Sequence, residues 1–310
     1  MAQNFHYKKT PTRIARQNFH HQNQNISKLH LNYKFLKQLG QGAFSTVYLA
    51  EHKNRQSVAL KQIRTDSLDE KYYDLCKKEV NLLNQIQSIN VVKCYETFVE
   101  KNYIYVSLEY ADAGDLENLI KKMQSKGRLL SERSIWYYFH QICNGLNDMH
   151  DKRILHRDLK PANVFLNSRG HVKIGDLGLS RIFSAQTMLA QTRVGTEYYM
   201  APERNNMGGY NFKSDIWSLG CLLYELCTFR SPFNGEESNA YALHKKIGEG
   251  RFLPFPSDIY SFQLHFFIKS CLSVKSNDRP SSKEAHNAAR RMYLIFEDLL
   301  KKYINANSNS

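Results

Sequence analysis

The run His156-Arg157-Asp158-Leu159-Lys160-Pro161-Ala162-Asn163 places a carboxylate, an ammonium and an amide carbonyl within eight residues. Asp158 and Asn163 are five apart, too far for neighbours on a strand and a poor match to one helical face. Pro161 fixes φ and removes an N–H, so it interrupts regular structure between them. The pattern predicts a rigid bent loop that turns Asp158, Lys160 and Asn163 toward one point. Groups of these types could there hold a nucleophile, a transferring anion and a hard cation.

Other segments must position that chemistry. Leu39-Gly40-Gln41-Gly42-Ala43-Phe44-Ser45-Thr46-Val47 reads as strand, glycine turn, strand. Glycines let backbone N–H groups come close to a phosphate, although many hairpins carry Gly-x-Gly. No Gly-Lys-Ser/Thr follows, so this is not a Walker loop. Val58 to Ile63 reads as a strand with Lys61 on the same face as Ala59 and Ile63. A lysine on an apolar face needs an anionic partner. Ser67-Leu68-Asp69-Glu70 matches a capping box, and the helix it opens sets Glu79 in a stripe with Leu75, Cys76 and Leu83. Glu79 is the candidate partner of Lys61; the alternative is a stripe-edge carboxylate in solvent. Val172-Lys173-Ile174 reads as a short strand ending at Asp176, a common place for a metal-holding carboxylate.

The remaining texture is mostly helical. Ser131 is expected to cap a helix with Ile135, Trp136, Phe139, Ile142, Cys143, Leu146 and Met149 on one stripe. Ser214 to Thr228 is apolar on nearly all sides, hence a buried helix with Asp215 capping backbone N–H groups at its start. Ser281 opens a last amphipathic helix, and residues 305–310 read as a frayed end. Residues 179–200 show no period, carry Thr192 and Thr196 among basic residues, and form a loop of a length that is usually functional or disordered.

The chain of 310 residues has 42% hydrophobic content and a formal charge of +14. No acid precedes Glu51, while Lys8, Lys9, Arg13, Arg16 and Lys28 crowd the first 32 residues. That segment, rich in Asn, Gln and His, reads as a disordered, solvated basic arm; nucleic-acid binding is not expected, because no aromatic-basic alternation offers base stacking. The six cysteines are scattered and form no Cys-x-x-Cys, which suggests free thiols in a reducing compartment. No secretory signal and no apolar run long enough to span a membrane is present.

Together these pieces resemble the eukaryotic protein kinases. The elements occur in the family's order: the glycine turn at 40–47, Val58-Ala59-Leu60-Lys61, Glu79, His156 to Asn163, Asp176-Leu177-Gly178 and Ala201-Pro202-Glu203. Ala111-Asp112-Ala113-Gly114-Asp115-Leu116, Gly175 to Leu179 and Tyr210 to Gly220 are similar to the NIMA-related serine/threonine kinases, and the early end of the chain resembles their short, tail-less members. The resemblance implies an α+β, bilobal protein kinase fold, with a small antiparallel sheet lobe carrying one key helix and a larger, mostly helical lobe. It implies an arm at 1–32, a kinase domain at 33–299 and a tail at 300–310. Within the domain, 33–108 would be the small lobe, 109–115 the hinge and 116–299 the large lobe.

The roles implied follow residue by residue. The backbone at 40–45, within an ATP-binding stretch of 39–47, would cover the ATP phosphates, with Lys61 on the α- and β-phosphates and paired to Glu79. Glu109 and Ala111 would offer backbone groups to adenine behind Leu108. Asp158 would accept the hydroxyl proton, Lys160 would steady the γ-phosphate, and Asn163 and Asp176 would hold magnesium, or manganese in its place. Thr192 would be the activating phosphorylation site, gripped by Arg157, with Thr196 bracing Asp158 and Lys160. Arg279 would pair with Glu203 in a structural role. Lys160 points to serine/threonine protein substrates, and the family implies an upstream activating kinase of the same kind. It also implies mitotic, centrosomal, microtubule or ciliary work in the cytoplasm, on the cytoskeleton or in the nucleus. A kinase-fold scaffold acting through partners is the alternative. The chain departs from the pattern at Leu177 (usually Phe), Glu197 (usually Pro), Ser88-Ile89-Asn90 (usually His-Pro-Asn) and Cys94 (often Tyr).

Overall fold

The computed structural model describes residues 28–42, 45–55, 57–65, 85–176, 196–205, 209–235 and 239–308. Strands β1 (Tyr33–Gln41), β2 (Ser45–His52), β3 (Ser57–Arg64), β4 (Cys94–Glu100) and β5 (Tyr103–Glu109) form one antiparallel sheet in the order β1-β2-β3-β5-β4. The register of β1 on β2 shifts twice, between Phe35 and Lys37 and between Gln38 and Gly40. Such irregularities bend the strand and increase its twist. The turn between β1 and β2 is closed by Gly42 N–H, which donates to Ser45 O at 2.7 Å. The expected strand, glycine turn and strand are therefore present; Ala43 and Phe44 lie outside the described residues, as does the expected helix bearing Glu79.

One face of the sheet buries Tyr33, Ala50, Val58, Leu60 and Tyr105 together with Leu29. Leu29 corrects one expectation. The sequence leaves residues 1–32 without structure, yet Lys28–Asn32 is a short helix, α1. Burying Leu29 on the sheet and pairing Lys28 Nζ with Glu96 at 2.8 Å give this end of the arm a reason to order.

The larger lobe holds α2 (Leu116–Ser125), α3 (Glu132–Asp151), α4 (Pro202–Asn205), α5 (Phe212–Thr228), α6 (Ala240–Gly248), α7 (Phe262–Cys271) and α8 (Ser282–Ser308). A small hairpin of β6 (Val164–Leu166) and β7 (Val172–Ile174) lies among them. Ser131 caps α3 as expected, its side chain accepting from Ser134 N–H, and the whole predicted stripe from Ile135 to Met149 is buried. Helix α5 is buried on nearly every side, but it starts earlier than its apolar run suggests. Asn211 caps it in a box with Ser214, which leaves Asp215 available for another task. A Cβ on Gly220 would lie 2.7 Å from Cys271 Cβ, so glycine there lets α7 lie directly on α5.

Helix α8 also differs from expectation. The region from residue 300 reads as a tail, but the helix continues to Ser308. It is tied to α3 by Arg133 Nη2, 2.6 Å from Glu297, and by His140 stacked on Tyr293 at 4.3 Å. The i,i+4 pair Lys302–Asp298 at 2.7 Å supports its last turns. Among the described residues no helix is long and apolar enough to cross a membrane.

The two lobes meet at Asn90. Its Nδ2 donates to Val172 O at 3.0 Å and to Gln141 Oε1 at 3.3 Å, and its Oδ1 accepts from Asn144. The backbone beside it pairs with Ile174. Asn90 thus anchors the end of the small lobe to α3 and β7. The five described cysteines are free thiols.

Candidate active site

The bent loop is present, and Pro161 opens its turn. Pro161–Asn163 form one 3-10 turn with Pro at the first position, where its missing N–H costs nothing. Asn163 folds back: its Nδ2 donates to Asp158 O at 2.7 Å and to Asp158 Oδ2 at 2.9 Å. Lys160 Nζ lies 2.9 Å from the same carboxylate. The three polar side chains named from the sequence therefore meet at Asp158.

Two buried groups hold the loop in that shape. His156 is fully buried; its Nδ1 faces the N–H of Asp158 at 3.3 Å and its Nε2 faces Gly175 O at 3.0 Å. A backbone N–H only donates and a carbonyl only accepts, so Nε2 carries the proton and the ring is neutral. Burial also depresses its pKa, outweighing the nearby acids. The second group is Asp215. Its Oδ2 accepts from His156 N at 2.9 Å and from His150 Nε2 at 2.8 Å. Its Oδ1 accepts from Arg157 N at 2.9 Å and Tyr210 OH at 2.5 Å. Burial alone would push this carboxyl up; the hydrogen bond and charge of His150, with help from Tyr210, hold it below the usual carboxylate range. Asp215 does cap backbone N–H groups, but those of the loop rather than of its own helix. The tether matters because Arg157 has φ of 72°, in the left-handed region where a side chain is strained.

Asp176 faces this loop from the end of β7. It too has positive φ, 56°. A Cβ on the preceding Gly175 would lie 2.5 Å from Phe165 Cε2, so only glycine fits the approach. Lys61, 8% exposed on β3, places Nζ 2.6 Å from Asp176 Oδ1. The Lys61 charge lowers the Asp176 pKa more than burial raises it. Glu79 lies outside the described residues, so Asp176 is the described partner of Lys61.

The strand-end segment is held at Glu109. Its N–H donates to Lys93 O at 2.8 Å, and its carboxylate lies 2.7 Å from Lys173 Nζ on β7. This ion pair ties the end of β5 to β7. Leu108, one residue before the end of β5, pairs with Ala59, and Ala111 follows the strand as a half-buried residue. Gly40 and Gly42 sit at the open end of β1, where a Cβ on Gly40 would meet nothing within 4 Å. Thr46 and Val47 pair with Gln62 and Lys61 across β2 and β3, which links the glycine turn to the lysine. Leu39, Gln41 and Ser45 flank the turn. Thr192 lies outside the described residues; Thr196 begins a 3-10 turn, Thr196–Tyr199.

An amide oxygen at Asn163 and a carboxylate at Asp176 are hard donors that suit magnesium. Among the described residues no group of three or more His, Cys, Asp or Glu is placed to hold a metal ion by itself. An ion here would draw the rest of its shell from water and phosphate oxygens, which is usual for magnesium.

Deeper in the large lobe, Arg279 is 1% exposed and grips Glu203 with both arms, Nη1 to Oε1 and Nη2 to Oε2, each at 2.8 Å. Its guanidinium also lies 4.9 Å from the Trp217 ring centre. This is the structural pair expected from the sequence.

The family model of the protein kinase domain matches residues 33–290. The chain belongs to the protein kinase family. Among its curated relatives are serine/threonine-protein kinase Nek5 of Homo sapiens, 39% identical over 88% of this chain and 37% of that protein, and Nek3 of Mus musculus, 41% identical over 81% and 48%. Nek2 of Homo sapiens is 37% identical over 82% of this chain and 58% of that protein. The similarity therefore falls in the NIMA-related branch, and the chain spans less than two thirds of the length of these relatives.

The sequence did not assign the loop anchors His150, His156 and Tyr210. A charged Asp215 in a helix apolar on all sides was the available signal, since a buried carboxylate needs several donors. The pair of Tyr199 and Glu225, in which the phenol donates to the carboxylate, was also unforeseen. It joins the Thr196–Tyr199 turn to α5.

Proposed function

We propose that this chain is an ATP- and magnesium-dependent protein serine/threonine kinase. The observation that supports it most is the meeting of Lys160 and Asn163 on the Asp158 carboxylate, with Lys61 and Asp176 paired nearby. In this reading a serine or threonine hydroxyl of a protein substrate attacks the γ-phosphorus of ATP. The bond to the bridging oxygen breaks and ADP leaves. Asp158 orients the hydroxyl and takes its proton. Lys160, already bound to Asp158, neutralises charge on the γ-phosphoryl oxygens. Lys61 holds the α- and β-phosphates beneath the turn at 39–47, and the backbone of Glu109 and Ala111 receives adenine. Magnesium, when bound, supplies charge neutralisation to the phosphates, with Asn163 and Asp176 holding it. Such catalysis rests on positioning and charge, which fits a loop held by buried hydrogen bonds.

Glu79 as the second partner of Lys61, Thr192 as an activating phosphorylation site and Arg157 as its grip belong to the same proposal. So do an upstream kinase of the same family, and work in mitotic, centrosomal, microtubule or ciliary regulation. These last rest on the NIMA-related resemblance. The test is incubation of the purified chain with ATP, magnesium and a generic protein substrate, followed by phosphoamino-acid analysis. Magnesium-dependent label on serine and threonine, reduced in Thr192→Ala, is expected; label on tyrosine alone, or none after Thr192 phosphorylation, contradicts the proposal.

A further inference from the structure

A cavity of about 310 Å³ opens where the end of α3 meets the first turns of α5 and α8. Arg153, Lys213 and Lys283 bring three cations to its wall, against the single carboxylate of Asp151. That carboxylate is engaged by Asn147 Nδ2 at 3.1 Å. Lys213 Nζ donates to Arg279 O, and Arg153 lies over the Phe212 ring. Neither Arg153 nor Lys283 forms an ion pair among the described residues. The α5 and α8 helices both begin at this wall; Asn211 Oδ1 caps the Lys213 and Ser214 N–H groups of α5, and Glu284, held by Ser281 N and Oγ at 2.7 Å, caps the start of α8, so the positive charge of the wall comes from the three side chains.

The wall also contains His150, which is 8% exposed. Its Nε2 holds Asp215, and its Nδ1 has no hydrogen-bond partner among the described residues. Asp215 in turn holds the backbone of His156 and Arg157. Cavity and catalytic loop are thus separated by one imidazole and one carboxylate.

We propose that this cavity binds a phosphoryl group and that its occupancy reaches the catalytic loop through His150 and Asp215. A tetrahedral dianion matches converging cations better than a monovalent ion does. The volume exceeds that of bare phosphate and leaves room for a side chain carrying it. The two sources of this chemistry are inorganic phosphate and a phosphoserine side chain.

The test is calorimetric titration of the full chain, at fixed ionic strength, with inorganic phosphate, a phosphoserine peptide and its unphosphorylated form. The variants are Arg153→Gln with Lys283→Gln, and Lys283→Gln alone should the double variant fail to fold. Binding to wild type that weakens at least tenfold in the double variant, or at least threefold in Lys283→Gln, is expected. A peptide that binds more tightly than phosphate identifies a phosphorylated side chain as the occupant; equal affinity identifies the free anion. No binding to wild type, equal binding to wild type and variants, or equal binding of the unphosphorylated peptide overturns the site. The ring-nitrogen NMR signals of His150 should shift during the titration in wild type, and signals that stay put overturn the coupling. None of these readouts depends on kinase activity, so failure of the kinase reading leaves them interpretable.

Discussion

Replacing Asp215 by asparagine tests whether one buried carboxylate shapes the loop that carries Asp158. The two carboxylate oxygens accept four hydrogen bonds, from His156 N, Arg157 N, His150 Nε2 and Tyr210 OH. Asparagine keeps one oxygen and turns an NH₂ toward the other two donors. Two buried donors left without an acceptor cost about 3 kcal/mol together. For a domain of this size that lowers the melting temperature by about 6–12 °C. The loss falls on the residues flanking Asp158, because the left-handed Arg157 relaxes once its N–H is released. A small displacement of a catalytic group lowers kcat by about 100-fold. The KM for ATP should change by less than about threefold, since Lys61 and the glycine turn do not touch Asp215. Sign also matters. The folded-state pKa of Asp215 is depressed, so its contribution is present above the ordinary carboxylate pKa and is lost as pH falls through the folded value. The wild-type melting temperature should therefore fall more steeply in acid than that of the variant. Paired thermal melts and saturating-ATP transfer assays read both effects. An Asp215→Asn protein that melts within about 2 °C of wild type and keeps kcat within about threefold would refute the tether.

Other substitutions read other parts of the fold. Burial, reinforced by Glu117, raises the Glu225 carboxyl to about 7, so its favourable neutral form is fully present below the unfolded pKa and is lost as pH rises through 7. Glu225→Gln should therefore gain on wild type, by up to about 3 kcal/mol, between pH 5 and pH 8 in urea titrations; a pH-independent difference would contradict this. Arg279→Met leaves the half-buried Glu203 without its partner and should cost about 2–3 kcal/mol by denaturant unfolding. A loss below about 1 kcal/mol would show that Ser214, which also donates to Glu203, suffices. Gly220→Ala sets a methyl 2.7 Å from Cys271 Cβ and should destabilise by about 1–3 kcal/mol, against a gain if α7 could shift freely.

Much of the site was legible because its signals are local. Pro161 between Asp158 and Asn163 announced a bend, and the glycines at 40 and 42 announced the β1–β2 turn. Lys61 stood out as a cation on a strand with apolar neighbours, and it is buried as that pattern requires. Arg279 and Glu203 were legible only through the resemblance, since 76 residues separate them. What the sequence hid is tertiary. The start of α5 depends on the Asn211 side chain rather than on the apolar period, and the use of Asp215 depends on a loop 58 residues earlier. The α1 turn depends on Leu29 reaching the sheet and Lys28 reaching Glu96, and the last turns of α8 carry an i,i+4 pair beyond the packed stripe. The Tyr199–Glu225 contact joins a turn to a helix face whose pattern was already explained by burial.

The central claim is that the Asp158 loop transfers phosphate. Its most direct measurement is the rate of label transfer from γ-labelled ATP to a serine/threonine substrate, with magnesium, by wild type and by Asp158→Asn. Both proteins should first carry phosphate on Thr192 and show equal thermal stability. Transfer by wild type and a loss of at least about 100-fold in the variant are expected, as for removal of a positioned base. Equal rates in the two proteins, or no transfer by either, would contradict it.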